Sequence, residues 1–120
     1  MLTLRLIGFW KSEHDPTWPD PNAFVDNRWD TDERDVVAQY LRAGSLARVY
    51  LGWSYCRVCG APNGDSEFTD GTYLWPEGLA HYVESHGVRL PAEFVEHAVS
   101  RMGDLEQAQV DRTWWARQRV

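Results

Sequence analysis

The sequence predicts an α+β domain: a small antiparallel sheet, with helices concentrated in the second half of the chain. Three observations carry that prediction. Two-residue alternation of apolar and polar side chains marks residues 2–10 and 46–55, and a third extended stretch at 68–75 is broken by Asp70-Gly71. Helical spacing between capping residues marks 31–42, 76–87 and 91–102. A length of 120 residues suffices for one core but leaves two halves each too small to bury its own.

Leu2, Leu4 and Leu6 alternate with Thr3 and Arg5, so residues 2–10 read as a strand with one apolar face. The next twenty residues carry Pro16, Pro19 and Pro21 with Asp15, Asp20 and Asn22, the composition of a long loop with one helical turn around Ala23 to Asp26. Trp18, Phe24 and Trp29 predict that this loop packs back on the body. Asp30 or Thr31 caps a helix from Thr31 to Arg42, with Val36, Val37, Tyr40 and Leu41 as its apolar stripe and Gly44 as its stop. From Leu46 to Tyr55 the chain alternates again, with Ala47, Val49, Leu51 and Trp53 on the apolar side.

Ala61 to Ser66 is turn-like, and Phe68 to Trp75 reads as a hairpin about Asp70-Gly71. Pro76 suits the first position of a helix ending at Gly87, and another runs from Pro91 to about Met102 on Phe94, Val95, Ala98 and Val99. A last helix or tail, 104–120, is expected to turn Leu105, Ala108 and Trp115 towards the body.

Composition removes whole classes of function. At 43% hydrophobic and 25% charged residues, with a mean hydropathy of -0.52, the chain is an ordinary soluble globular one. No apolar run approaches the roughly 18 residues of a membrane span. Arg5 interrupts the first apolar stretch and no basic segment precedes it, so a secretory signal is not expected and the chain reads as cytoplasmic. Twelve basic residues against eighteen acidic ones give a net charge of -6, which opposes general binding to a phosphate backbone. Asp30, Asp32, Glu33 and Asp35 form an acidic run best read as a solvated helix start.

The chemistry-bearing pattern is Cys56-x2-Cys59 followed, after twenty-one residues, by His81-x4-His86. Two thiolates from a tight turn and two imidazoles from a helix are the common donor set of a structural zinc ion, which takes four ligands in a tetrahedron. Gly60 has the backbone freedom such a turn needs. Five residues along an ideal helix separate side chains by about 140°, a poor angle for one metal. Gly87 offers the remedy, because a helix ending there can open its final turn and swing His86 inward. Residues 53–87 thus read as a zinc-finger-like ββα unit within one zinc-stabilised domain, 1–120, with Trp53 and Trp75 shielding the ion.

Several alternatives lie beside this reading. The cysteines could be plain thiols, and His97 could replace one histidine if its helix crosses the site. His14, in a loop, reads as a surface residue. A thioredoxin-like pair lacks its βαβ setting. Glu84 lies between the histidines, but not in the His-Glu-x-x-His order of a metallohydrolase, and the two cysteines already complete the tetrahedron.

The stretch Tyr55-Cys-Arg-Val-Cys-Gly60, with Thr69-Asp-Gly-Thr-Tyr-Leu-Trp-Pro-Glu-Gly-Leu-Ala-His-Tyr-Val83, His86 and Val88-Arg-Leu-Pro91, resembles a block found in small uncharacterised bacterial proteins. It covers about a third of the chain, and its ligand pattern is similar to a Cys2His2 zinc finger with a long insert. The resemblance implies zinc binding by the same four residues and implies no activity.

The expected function is therefore a non-catalytic interaction module with one structural Zn2+, meeting a protein partner through the loop Lys11–Trp29 or the terminal helix. A nucleic-acid-associated regulator is the alternative, resting on Arg112, Arg117 and Arg119 beside Trp114 and Trp115. A metal-dependent hydrolase is the weaker one.

Overall fold

The computed structural model describes residues 1–50 and 52–119. In chain order it holds β1 (Arg5–Leu6), a 3-10 turn (Pro21–Phe24), α1 (Thr31–Arg42), β2 (Ser45–Val49), β3 (Ser66–Thr69), β4 (Tyr73–Pro76), α2 (Leu79–His86), α3 (Ala92–Glu106) and α4 (Arg112–Ala116). The α+β class is as expected. One sheet of four strands runs β1-β4-β3-β2, and it is mixed: β2, β3 and β4 are antiparallel, whereas β1 lies parallel to β4. The expectation of an antiparallel sheet holds for β2, β3 and β4, and β1 is the exception. Of residues 2–10, Arg5 and Leu6 alone are strand, because the chain leaves the sheet after Ile7 donates to Leu74 O at 3.0 Å.

α1 forms over the expected residues because each end is closed by a side chain or a polar backbone group. The Asp30 carboxylate accepts from the Glu33 N–H, and Asp32 and Glu33 sit favourably at the positive end of the helix dipole. Val37, Ala38, Tyr40 and Leu41 are its buried stripe. Ala43 closes the far end with an ordinary negative φ, so Gly44 is not the stop the sequence suggested. Its missing side chain has another cause: a Cβ there would stand 2.6 Å from Trp75 Cζ2 and 3.0 Å from Phe68 Cβ.

Trp75 is the centre of the core. It is fully buried among Tyr40 and Phe94, and its indole N–H donates to Leu41 O at 3.1 Å, which ties β4 to α1. Burying an indole of about 200 Å2 is worth on the order of 5 kcal/mol, an upper bound. Val83, Val88, Phe94 and Ala98 close the same cluster from α2, the turn after it and α3.

The proline-rich loop packs back as expected. Trp10 meets Phe24 and Tyr82 edge-on or tilted, Trp29 is buried with its N–H on Glu33, and Asp26 N donates to Gly87 O at 3.0 Å.

Other expectations fail for local reasons. Every residue of β2 is exposed, so the alternation after Leu46 has no covered face; β2 is the sheet edge, and its register breaks between Leu46 and Arg48. Leu51, assigned to that face, lies outside the described residues. Pro76 ends β4 and does not open α2, whose first helical residue is Leu79. α3 runs on to Glu106 and α4 is a separate short helix capped by the Asp111 carboxylate. From Asp104 to Arg119 every residue is exposed, Leu105, Ala108 and Trp115 included. No helix among the described residues is long and apolar enough to cross a membrane.

Gly44→Ala forces a methyl against two ring-bearing neighbours in a filled core. Overpacking of this kind costs about 1–3 kcal/mol, to be read as an equally sized fall in unfolding free energy in urea.

Candidate metal centre

Between β2 and β3 the chain makes an excursion that folds on itself. Tyr55 bridges to Pro62, Cys56 N donates to Ala61 O at 2.8 Å, and Gly60 N returns to Cys56 O at 2.8 Å. Gly60 has φ 75, the left-handed value that closes this turn, with open space where a Cβ would be; the restriction is therefore backbone strain and not crowding. Two contacts hold the turn against α2. Arg57 N donates to the Tyr82 hydroxyl at 2.8 Å, and Asn63 Nδ2 donates to Gly78 O at 3.2 Å, where the helix begins.

α2 delivers both histidines. It ends at Gly87 in the left-handed conformation, φ 63, and the N–H groups of Gly87 and Val88 both reach back to Tyr82 O. Those five- and six-residue returns widen the last turn. His81 and His86 consequently converge in spite of their spacing, with Nε2 atoms 3.2 Å apart.

Cys56, Cys59, His81 and His86 present four ligand atoms within 4.8 Å of one another, a group able to hold a metal ion. Cys59 Sγ lies 3.4 Å from His81 Nε2. Metal–nitrogen bonds of about 2.0–2.1 Å and metal–sulfur bonds of about 2.3 Å imply tetrahedron edges near 3.3 Å between nitrogens and near 3.6 Å between nitrogen and sulfur. Both observed separations match these edges to about 0.2 Å. Cys56 is buried, Cys59 exposed and both histidines half-buried, so the site sits at the surface with one sulfur facing inward.

The surroundings favour the ligating forms. Burial pushes the Cys56 thiol up, but the N–H groups of Cys59 and Val58, the Cys59 thiol and the Tyr82 hydroxyl outweigh it and bring the pKa below the usual thiol value. His81 is lowered by burial and by its neighbour His86, which keeps its imidazole neutral. Thiolate and neutral imidazole are the forms a metal takes.

All four sequence-predicted ligands are thus brought together, while their expected shields are not. Trp53 is 63% exposed, and Trp75 belongs to the core cluster with Tyr40 and Phe94. The aromatic against the site is Tyr82, buried, with ring centroids 6.3 Å from His81 and 6.4 Å from His86. The signal for Tyr82 in the sequence is its position four residues before His86, since such residues share a helix face. Glu84 is held by Arg42 through bonds of 2.7 and 2.9 Å.

His97 is not a ligand either. Its Nε2 lies 2.8 Å from Asp70 Oδ2, which also accepts from the Tyr40 hydroxyl. Burial would raise the Asp70 carboxyl, yet the bonds from Tyr40, from Tyr73 N and Thr72 N, and from His97 bring it down to about 2. This cluster closes the β3–β4 hairpin and joins it to α1 and α3. Comparison of the chain with protein-family models, with curated proteins and with solved structures finds no match.

Two outcomes follow from this geometry. Tyr82→Phe removes the hydroxyl that accepts from Arg57 N and so orients the knuckle; metal affinity, read by competition with a chromophoric chelator, falls about 10- to 100-fold with the fold retained. Asp70, depressed below its unfolded value of about 3.9, adds stability above pH 4 that is lost as pH falls through about 2. Asp70→Asn therefore lowers stability at pH 7 and flattens the acid limb of a thermal-melting profile over that window.

Proposed function

We propose that the chain is a zinc-stabilised, non-catalytic interaction module, with one Zn2+ held by Cys56, Cys59, His81 and His86. One observation carries the reading: four donors from two separate segments lie within 4.8 Å of one another, and two of their separations, 3.2 and 3.4 Å, suit the edges of a tetrahedral site. The donor set selects among metals, because two thiolates with two imidazoles in a tetrahedron suit zinc, whereas oxygen-rich sites suit magnesium or calcium. When bound, the ion supplies folding energy by cross-linking the knuckle to α2.

A structural role is supported by the completed set of four protein ligands, which leaves no open position for water or substrate. Glu84, the nearest acid in sequence, is engaged by Arg42. A reducing compartment such as the cytoplasm keeps both thiols available. The partner surface is protein-directed in this reading, since a net charge of -6 repels a phosphate backbone.

Protein purified without added metal is expected to contain about one zinc per chain by elemental analysis, in keeping with one four-ligand site. Cys56→Ser and His86→Ala should each lose the zinc and melt at markedly lower temperature. Full zinc content and unchanged melting in both variants would overturn the assignment.

A further inference from the structure

Beside the knuckle, and separate from its four ligands, lies a cavity of about 550 Å3. That volume is in the range that takes small ligands. Its walls include Trp10, Trp18, Tyr50, Trp53, Tyr55 and the buried acid Glu67. Three of these rings, Tyr50, Trp53 and Tyr55, are at least half exposed, and they come from the segment that leads into Cys56. Aromatic faces held open to solvent around an acid are poor core material. They suit a cation, which the negative face of each ring attracts.

Glu67 supplies the charge and the direction. It is 6% exposed; Oε2 accepts from the Tyr50 hydroxyl at 2.7 Å, while Oε1 has no hydrogen-bond partner among the described residues. The closest cation is the exposed Arg48, 4.0 Å from Oε1, beyond hydrogen-bond reach. A buried acceptor left in this state costs roughly 1–3 kcal/mol, more when charged. Trp10 is the second orphan: its buried indole N–H has no acceptor among the described residues. Both orphaned atoms are closed to solvent as the side chains stand, so a donor reaches Oε1 only if the exposed Tyr50 ring, bonded to Oε2, moves aside.

We propose that this cavity binds a guanidinium group on a flexible chain that also bears a carbonyl, as an arginine residue does. The cation stacks on the aromatic walls and donates to Glu67 Oε1, and the carbonyl accepts from Trp10. Planarity favours guanidinium over ammonium, because a flat cation covers an aromatic face as well as donating in its plane. The chain already pairs the same groups elsewhere: Arg5 lies over the Tyr73 ring at 5.3 Å while it bonds to Glu93. An arginine of a partner protein and a free guanidino compound share this chemistry. The inference rests on the proposed zinc reading in one respect, since the knuckle forms part of the wall.

The test titrates the full chain with N-acetyl-arginine amide and follows tryptophan fluorescence, with the zinc content of each sample counted alongside. Saturable binding is expected. The citrulline analogue, neutral and nearly isosteric, should bind about 10- to 100-fold more weakly, the size of one charged hydrogen bond. Glu67→Gln should erase that preference, and Trp53→Ala, at an exposed position, should weaken binding without change in melting temperature. Equal binding of arginine and citrulline derivatives, or no binding by a zinc-loaded chain, overturns the cavity and leaves the metal site standing. A chain without zinc that still prefers arginine overturns the metal site alone. Tighter binding of Gly-Gly-Arg-Gly-Gly than of the amide assigns the cation to a protein partner, and weaker binding assigns it to a free compound.

Discussion

The convergence of the Cys56–Cys59 turn on the final turn of α2 is the constraint on which the rest of the second half depends. The segment from Tyr50 to Asp65 has little apolar material of its own to bury; Cys56 and Gly64 are its buried residues among those described. Hydrogen bonds to Gly64 and Asp65 hold it to itself, and Tyr82 and Asn63 hold it to the helix. Those contacts are few for sixteen residues, each of which costs about 1–2 kcal/mol of backbone entropy to order. A metal ion held by the four converging donors would offset that cost where a core cannot.

The core and the metal centre therefore divide the labour. Trp75, Leu41, Phe94 and Val83 fasten α1, α2, α3 and the sheet by burial, with the Trp75–Leu41 hydrogen bond added. The candidate metal centre reaches from α2 outwards to a loop of which, among the described residues, Cys56 alone joins the core. Tyr82 stands on the boundary, with its ring against Trp10 in the core and its hydroxyl on the knuckle. Damage to either region is transmitted through α2, whose eight residues serve both.

The sequence was legible where local chemistry decides and opaque where packing does. α1 could be bounded to the residue because Asp30 and the apolar stripe are local signals. The four converging donors could be named as a group because donor type and spacing are written in the chain. The parallel placement of β1 was not legible, since the partner of a two-residue strand is chosen by what lies beside β4. Nor was the exposure of β2, whose alternation promised a face that no helix covers. Gly44 shows both sides: the residue was visible, while the reason for it, a tryptophan thirty-one positions later, was visible only in three dimensions.

The parallel pairing of β1 with β4 also has a bearing on the order of assembly. Arg5 lies opposite Tyr73, so this contact joins points 68 residues apart, whereas the four ligands lie within a stretch of 31 residues. Closing a longer loop costs more entropy and slows the contact that depends on it. The β3–β4 hairpin, α2 and the knuckle are thus the kinetically near elements, and the N-terminal strand docks onto an edge that they have already built. A nascent chain would assemble from its middle outwards, with its first residues waiting longest for a partner.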